Sequence, residues 1–330
     1  MEKKISVIIP VHNSFLTLKE CLDAIYNSNY KNFEVIVVDD HSSDNSLEIA
    51  KQFKCKIIEL KENGGPAYAR NTGAYSAEND ILFFIDSDVI IQDNSLNHIN
   101  NIFDDEEHNV VQGVYSHKPN YKSIFSQYQQ SFYCYYTWHK NITNVSAFCT
   151  MCFAIRKKTF FNSKQFNTKI RRATVEDEEF GYNLIDMGNL ILLLRELQVE
   201  HRVNYDLKQY IKRNFIAYFD TMKSYLRNKN LNRRIKQNNY LGIILSLPVF
   251  GSIILTLITM MFFSNEMSLT ILLVLNIFFL SLHLKFIGFV SSEKGVRTAF
   301  GVVLVCYLDT FLMLIGAGCA CISYIVGRKY

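Results

Sequence analysis

The distribution of charge divides this chain between two solvents. Charged side chains are frequent as far as Lys236 and nearly vanish afterwards. Residues 241–263 carry none at all, and at about 1.5 Å of rise per residue a helix of that length crosses the hydrocarbon core of a bilayer. A second apolar run, 268–290, holds His283 and Lys285 near its end, and a third, 298–326, holds only Asp309. Residues 240–330 therefore read as an all-α transmembrane bundle of about three spans. An ionisable side chain in such a run is a functional candidate by default. Lys285 reads as a side chain that snorkels to the interface, and Asp309 as a partner for Lys285 or His283 between helices.

What precedes the tail is water-soluble in character, and at 330 residues the chain exceeds one typical domain of about 100–200. A formal charge of +4 with no Lys/Arg-rich tract in the first half excludes nucleic acid as a partner. Basicity is local instead. Between Leu207 and Asn239 stand Lys208, Lys212, Arg213, Lys223, Arg227, Lys229, Arg233, Arg234 and Lys236 against a single acid, Asp220. In the same stretch Leu207, Ile211, Phe215, Tyr218, Met222 and Leu226 recur at helical spacing, so residues 207–239 read as a basic amphipathic interface helix and linker. This basic segment, together with Lys294 and Arg297 and the absence of Lys or Arg in Ser264–Met267, places the first half in the cytosol by the positive-inside rule. Arg328 and Lys329 disagree and leave open an even number of crossings with one run re-entrant. Met1-Glu2-Lys3-Lys4 and the short run after it lack the apolar region of a signal peptide. The sequons at Asn141 and Asn144 matter only for the reverse topology. Eight unevenly spaced cysteines suggest no disulfide framework, and Cys149-x-x-Cys152 reads as buried strand cysteines in want of a second pair.

The first hundred residues alternate short β-branched runs with amphipathic stretches, the βαβα pattern of a doubly wound α/β sheet. The spacing predicts strands at Ile5–Pro10, Phe33–Asp39, Lys56–Leu60, Ile81–Asp86 and Val110–Val114. Phe15, Leu18, Leu22 and Ile25 predict a helix after the first strand, Ser43 caps the next helix, and Pro66 suits a first helical turn. Each strand ends in polar residues, where open α/β sheets bind ligands. The aromatic stretch Tyr121–Trp138 reads as a helix packing on the sheet or as an acceptor-side surface near the membrane.

Several of these polar strand ends form motifs: Ser6-Val-Ile-Ile-Pro-Val-His-Asn13, Val37-Val-Asp-Asp-His-Ser-Ser-Asp44, Asn63-Gly-Gly-Pro-Ala-Tyr-Ala-Arg-Asn-Thr-Gly73, Asp86-Ser-Asp88 and Glu176-Asp-Glu-Glu-Phe-Gly-Tyr182. In this order they resemble the inverting family 2 glycosyltransferases of GT-A fold, over roughly residues 4–215, with residues 1–206 as the catalytic domain. The resemblance implies a nucleotide-sugar donor. Pro10, Val11 and His12 would line the base pocket, His12 standing where the family often has Tyr, and Asp40 would accept from the base. Asn63, Gly64, Arg70 and Asn71 would border the nucleotide and diphosphate, with Asp86 and Ser87. Asp88, Asp86 and His201 would hold Mg²⁺ or Mn²⁺, whose hard-ligand preference suits carboxylates.

The same resemblance makes Asp177 the general base that takes the acceptor proton, flanked on the acceptor side by Glu176 and Glu178. Thr174 is placed to cap that helix and Gly188 to stop it. Asn183 stands where the family often has Arg. No Gln-x-x-Arg-Trp element of processive synthases is present, which favours transfer of one sugar to a hydroxyl of a lipid or lipid-linked acceptor. Two alternatives remain: a polyprenyl-phosphate glycosyl synthase, although Asp86-Ser-Asp-Val-Ile90 departs from that group's Asp-Ala-Asp-Leu-Gln, and a catalytically silent nucleotide-sugar-binding scaffold at the membrane.

Overall fold

The computed structural model describes residues 2–117, 121–138, 148–227, 241–262 and 266–327. It divides into two compact units, Met1–Pro119 with Tyr136–Val203, and Asn120–Tyr135 with Asn204–Tyr330. The sequons, Lys229 to Lys236, residues 263–265, Arg328 and Lys329 lie outside the described residues.

The first unit is built on an eight-stranded sheet. Its strands are β1 (Ile5–Val11), β2 (Phe33–Asp39), β3 (Lys56–Glu59), β4 (Ile81–Ile85), β5 (Val89–Ile91), β6 (Val110–Tyr115), β7 (Cys152–Arg156) and β8 (Ile191–His201). The order is β3-β2-β1-β4-β7-β6-β8-β5. The first four strands are parallel, as the βαβα pattern requires. β7 then runs antiparallel to both β4 and β6, and β5 antiparallel to β8, so the sheet is mixed and not a purely doubly wound one. Both faces are covered. Ile5, Val7 and Ile9 point to one core with Leu18, Leu22 and Ile25 of α1 (Leu18–Tyr26), while Ile8 points to the other with Phe84, Phe153 and Phe180. Period-2 alternation accounts for both cores.

Local chemistry brings the helices onto the sheet. Helix α3 (Pro66–Ser76) begins with Gly65 at φ +84° and Pro66 in its first turn. A Cβ on Gly65 would stand 2.4 Å from the Arg171 carbonyl oxygen, and one on Gly73 would stand 2.4 Å from Ile8 Cγ2. Gly73 therefore lets α3 lie close against β1, and Gly65 lets the Arg171 backbone approach the start of the helix. The short helix α2 (Ser46–Ala50) is not capped by Ser43: Asn45 holds the cap position, and Ser46 Oγ accepts from Ser14 N. α4 (Ser95–Ile102) and α6 (Lys157–Asn162) complete the layers. Helix α7 (Glu176–Asp186) follows Val175, not Thr174, and Thr174 N instead donates to Glu176 Oε2 at 2.7 Å. The helix stops where expected, at Gly188, with φ +82°.

The second unit gathers α5 (Ile124–Trp138), α8 (Leu207–Arg227), α9 (Leu241–Phe262), α10 (Glu266–Lys294) and α11 (Val296–Ile325). Two of these, α10 and α11, are long and apolar enough to cross a membrane. The described apolar stretch of α9, Leu245–Met261, is shorter and carries Pro248. Two candidate spans thus stand among the described residues in place of three. Tyr128 meets Tyr210 and Phe286, and Tyr135 meets Phe286 and Phe289.

Asp309 is the polar centre of this unit. It is 6% exposed and pairs with neither Lys285 nor His283. Its Oδ1 accepts from Tyr210 Oη at 2.7 Å and Asn214 Nδ2 at 2.9 Å, and its Oδ2 from Tyr218 Oη at 2.5 Å and Tyr128 Oη at 3.1 Å. Four donors saturate the carboxylate, as burial of a charge demands. Helix α8 consequently turns Tyr210 and Asn214 inward and leaves Leu207, Ile211 and Leu226 exposed. Lys285 is exposed as well.

Candidate active site

The polar ends of β1, β2 and β4 lie side by side, because these strands are parallel neighbours in the sheet. The chain leaves β1 toward β2 on one side and β4 on the other, so the crevice at their C-terminal ends is a topological switch point, the usual ligand position in such sheets. Asn13 and His41, just beyond β1 and β2, both adopt positive φ (52° and 60°), a strain that concentrates at functional sites.

At the nucleotide end the residues brace one another. Asp40 is buried, and its two oxygens accept from Gly64 N at 2.7 Å and Gly65 N at 2.9 Å. It therefore fixes the glycine turn and offers only its remaining lone pairs to a base. The His12 ring lies 2.8 Å from the Asp40 carbonyl oxygen through Nδ1, which must then carry the proton, and Asn13 and Asn63 amides approach Nε2 at 3.2 Å. Pro10 is half-buried and Val11 buried beneath this ring-and-amide cluster. Ser87 Oγ pairs with Ser14 Oγ at 2.7 Å.

Beyond β4 the site becomes acidic. Asp86 and Asp88 are half-buried, and β5, only three residues long, pairs Val89 with His201 of β8. That register brings His201 Nε2 to 3.1 Å from Asp88 Oδ2. The link depends on a strand too short for sequence periodicity to show. Asp177 sits half-buried in the first turn of α7, with Oδ1 accepting from Glu178 N at 2.8 Å. Burial, followed by the charges of Glu176 and Glu178, pushes its carboxyl well above the usual carboxylate range, against the pull of Arg70. Burial also raises Asp86, Arg70 opposing and Asp88 adding to the rise.

Three expected site residues, Arg70, Asn71 and Glu176, have buried side chains held by other parts of the protein. Asn71 is buried and both donates to Phe166 O (2.9 Å) and accepts from Phe166 N (3.2 Å), bracing the fold. Glu176 is 2% exposed and receives Arg70 Nη1 at 3.0 Å. Cys149 and Cys152 are free thiols, the latter inside β7, with burial raising both.

A divalent cation fits this chemistry in a particular way. Among the described residues no three of His, Cys, Asp and Glu are grouped tightly enough to enclose an ion. Mg²⁺ and Mn²⁺ sites in nucleotide enzymes need fewer protein ligands, since substrate phosphates complete the shell. Asp88 and His201 already stand together, and Asp86, two residues before Asp88, keeps a second oxygen.

Comparison with known proteins agrees with the geometry. Over 219 residues the chain is 28% identical to Glycosyltransferase GlyG of Streptococcus pneumoniae, covering 59% of this chain and 69% of that protein. Over 129 residues it is 31% identical to the poly(ribitol-phosphate) beta-N-acetylglucosaminyltransferase TarP of Staphylococcus aureus, covering 37% of this chain and 39% of that protein. Among solved structures, the mannosyltransferase PcManGT of Pyrobaculum calidifontis, in complex with GDP-Man and Mn²⁺, superposes with a TM-score of 0.59 at 15% identity, covering 98% and 88% of the two chains. S. aureus TarS 1–349 in complex with UDP-GlcNAc gives 0.51 at 17% identity, covering 98% and 92%. At such identities the superpositions establish the fold. Residues 6–161 match the family model described as "Glycosyl transferase family 2", and with five motifs at the edge of a GT-A sheet the chain carries a glycosyltransferase family 2 catalytic domain.

Proposed function

We infer that the chain moves a single sugar, with inversion, from a UDP- or GDP-sugar to a hydroxyl of a lipid or lipid-linked acceptor at a membrane surface. The observation that carries this reading is Asp177, a carboxylate at a helix start whose basicity is raised by burial and by its acidic neighbours. A hydroxyl acceptor needs such a group; a phosphate acceptor, already anionic, does not. The name of TarP states a poly(ribitol-phosphate) acceptor, so polyol hydroxyls belong in the acceptor screen.

In this mechanism His12, Asn63 and Asp40 hold the nucleoside end of the donor. Asp88, Asp86 and His201 would hold a divalent ion, whose chemistry would be to neutralise charge on the departing diphosphate. Asp177 orients the acceptor hydroxyl and takes its proton as the oxygen attacks the anomeric carbon. The bond from that carbon to the diphosphate oxygen breaks, and the nucleoside diphosphate leaves with the electron pair.

The membrane reading draws on α10 and α11 and on the outward face of α8, where exposed Leu207 and Ile211 alternate with exposed Lys208 and Lys212. Such a face suits an anionic lipid surface. The cytosolic placement of the catalytic unit rests on the positive-inside argument alone.

The donor half is tested through Asp88. Asp88→Asn is expected to abolish most of the Mn²⁺- or Mg²⁺-dependent gain in UDP or GDP affinity, measured by calorimetry on detergent-solubilised protein. Equal affinity with and without chelator in the wild type would refute metal-assisted donor binding.

A further inference from the structure

Arg70 is buried beside the crevice, and its Nε has no hydrogen-bond partner among the described residues. Its side chain is 4% exposed, and both terminal nitrogens are engaged, Nη2 with Asp86 Oδ1 at 2.8 Å and Nη1 with Glu176 Oε1 at 3.0 Å. The guanidinium carbon lies 5.5 Å from the centre of the Phe166 ring, and Phe166 is itself clamped through its backbone N–H and carbonyl by Asn71, the next residue on α3. Gly73, on the same helix, sets the distance of α3 from β1. Each contact fixes the guanidinium plane.

The two carboxylates that it joins belong to different halves of the site. Asp86 ends β4 and stands two residues before Asp88. Glu176 opens α7 and immediately precedes Asp177, and its other oxygen accepts from Thr174 N. We propose that Arg70 is a positioning residue, a rigid brace that sets the start of the Asp177 helix against the Asp86–Asp88 turn from behind the site and does not grip the donor phosphates. A planar fork with fixed donor directions can hold two carboxylates at a set angle; an ammonium group, a point charge on a flexible stem, cannot. The proposal rests on the glycosyl-transfer reading, since the brace matters only where donor and base must be in register.

The test is a double-mutant cycle on the full chain in detergent, with Arg70→Met, Glu176→Gln, the pair together, and Arg70→Lys. Misplacement of reacting groups by about 1 Å costs on the order of 10²-fold in rate. Arg70→Met is therefore expected to lower kcat about 100-fold with donor KM within about threefold. Arg70→Lys should recover little. Adding Glu176→Gln to Arg70→Met should cost nothing more, because the two side chains act as one unit. The same cycle read by thermal unfolding, without donor or acceptor, should show Arg70→Met destabilised by its unpaired Glu176 and the double variant partly restored. A tenfold or greater rise in donor KM with unchanged kcat would overturn the proposal in favour of a phosphate contact. Additive thermal effects would also overturn it. Absence of nucleotide release by the wild type with every donor would instead refute the transferase reading, and the thermal cycle would still decide whether the brace exists.

Discussion

Replacing Asp177 by Asn is expected to cut sugar transfer by about 10²–10⁴-fold while leaving metal-dependent nucleotide affinity nearly intact. The amide keeps the size of the carboxylate and can still accept from Glu178 N, so the first turn of α7 is preserved. What it loses is the capacity to take a proton. The pH dependence follows from the direction of the shift. The folded-state carboxyl titrates well above 3.8, so the enzyme gains activity as pH rises through that higher value, and the acid limb of the rate profile should lie above the ordinary aspartate range. The sign for stability is opposite. A carboxyl whose folded value is raised contributes stability fully present below its unfolded value and lost as pH rises through the folded one. Asp177→Asn should thus remove the acid limb and be neutral or stabilising at alkaline pH. Near-wild-type transfer by Asp177→Asn would instead point to an anionic acceptor, as in polyprenyl-phosphate glycosyl synthesis.

A comparably large effect, on stability, is expected at Asp309. Leu at this position has the same heavy-atom branching and suits an apolar helix, so hydropathy alone predicts a gain. The structure predicts the reverse. Removing the carboxylate leaves three tyrosine hydroxyls and the Asn214 amide facing hydrocarbon. Each buried donor left unsatisfied costs about 1–3 kcal/mol, so the loss should exceed about 4 kcal/mol even if some donors find other partners. Tyr128→Phe, at the longest of the four contacts, should cost only about 1 kcal/mol. Thermal unfolding in detergent, followed by size-exclusion recovery, reads both. An Asp309→Leu protein that unfolds within a degree or two of the wild type would show that the cluster carries little of the unit's stability.

The parallel half of the sheet was legible because β1, β2 and β4 are apolar runs closed by polar residues, and that same pattern located Asp40, Asp86 and Asp88. The antiparallel half was not. β7 follows a long aromatic segment and pairs between β4 and β6, an order that no local pattern encodes. β5 has too few residues to show a period, although it is what sets His201 beside Asp88.

Motif membership identified the site's neighbourhood better than it identified roles. Arg70, Asn71 and Glu176 belong to the expected segments, yet their side chains are buried, Arg70 against Glu176 of α7 and Asn71 against the Phe166 backbone. Sequence spacing tells which residues share a helix face, not which face meets solvent. In α8 the same ambiguity affected the reading of burial. The predicted stripe is split: Leu207, Ile211 and Leu226 are exposed, while Tyr218 joins Tyr210 and Asn214 on the buried Asp309 carboxylate. Asp309 was visible as an anomaly in an apolar run, but its partners came from two helices far away in sequence.

The most direct measurement of the central claim is nucleotide release from a panel of UDP- and GDP-sugars by the full chain in detergent, with Mn²⁺ or Mg²⁺ and a membrane lipid extract. The account predicts release from at least one donor, dependent on the extract, lost with chelator or in Asp88→Asn, and cut by about 10²-fold or more in Asp177→Asn. Release that persists undiminished in chelator and in both variants, or no release from any donor, would contradict it.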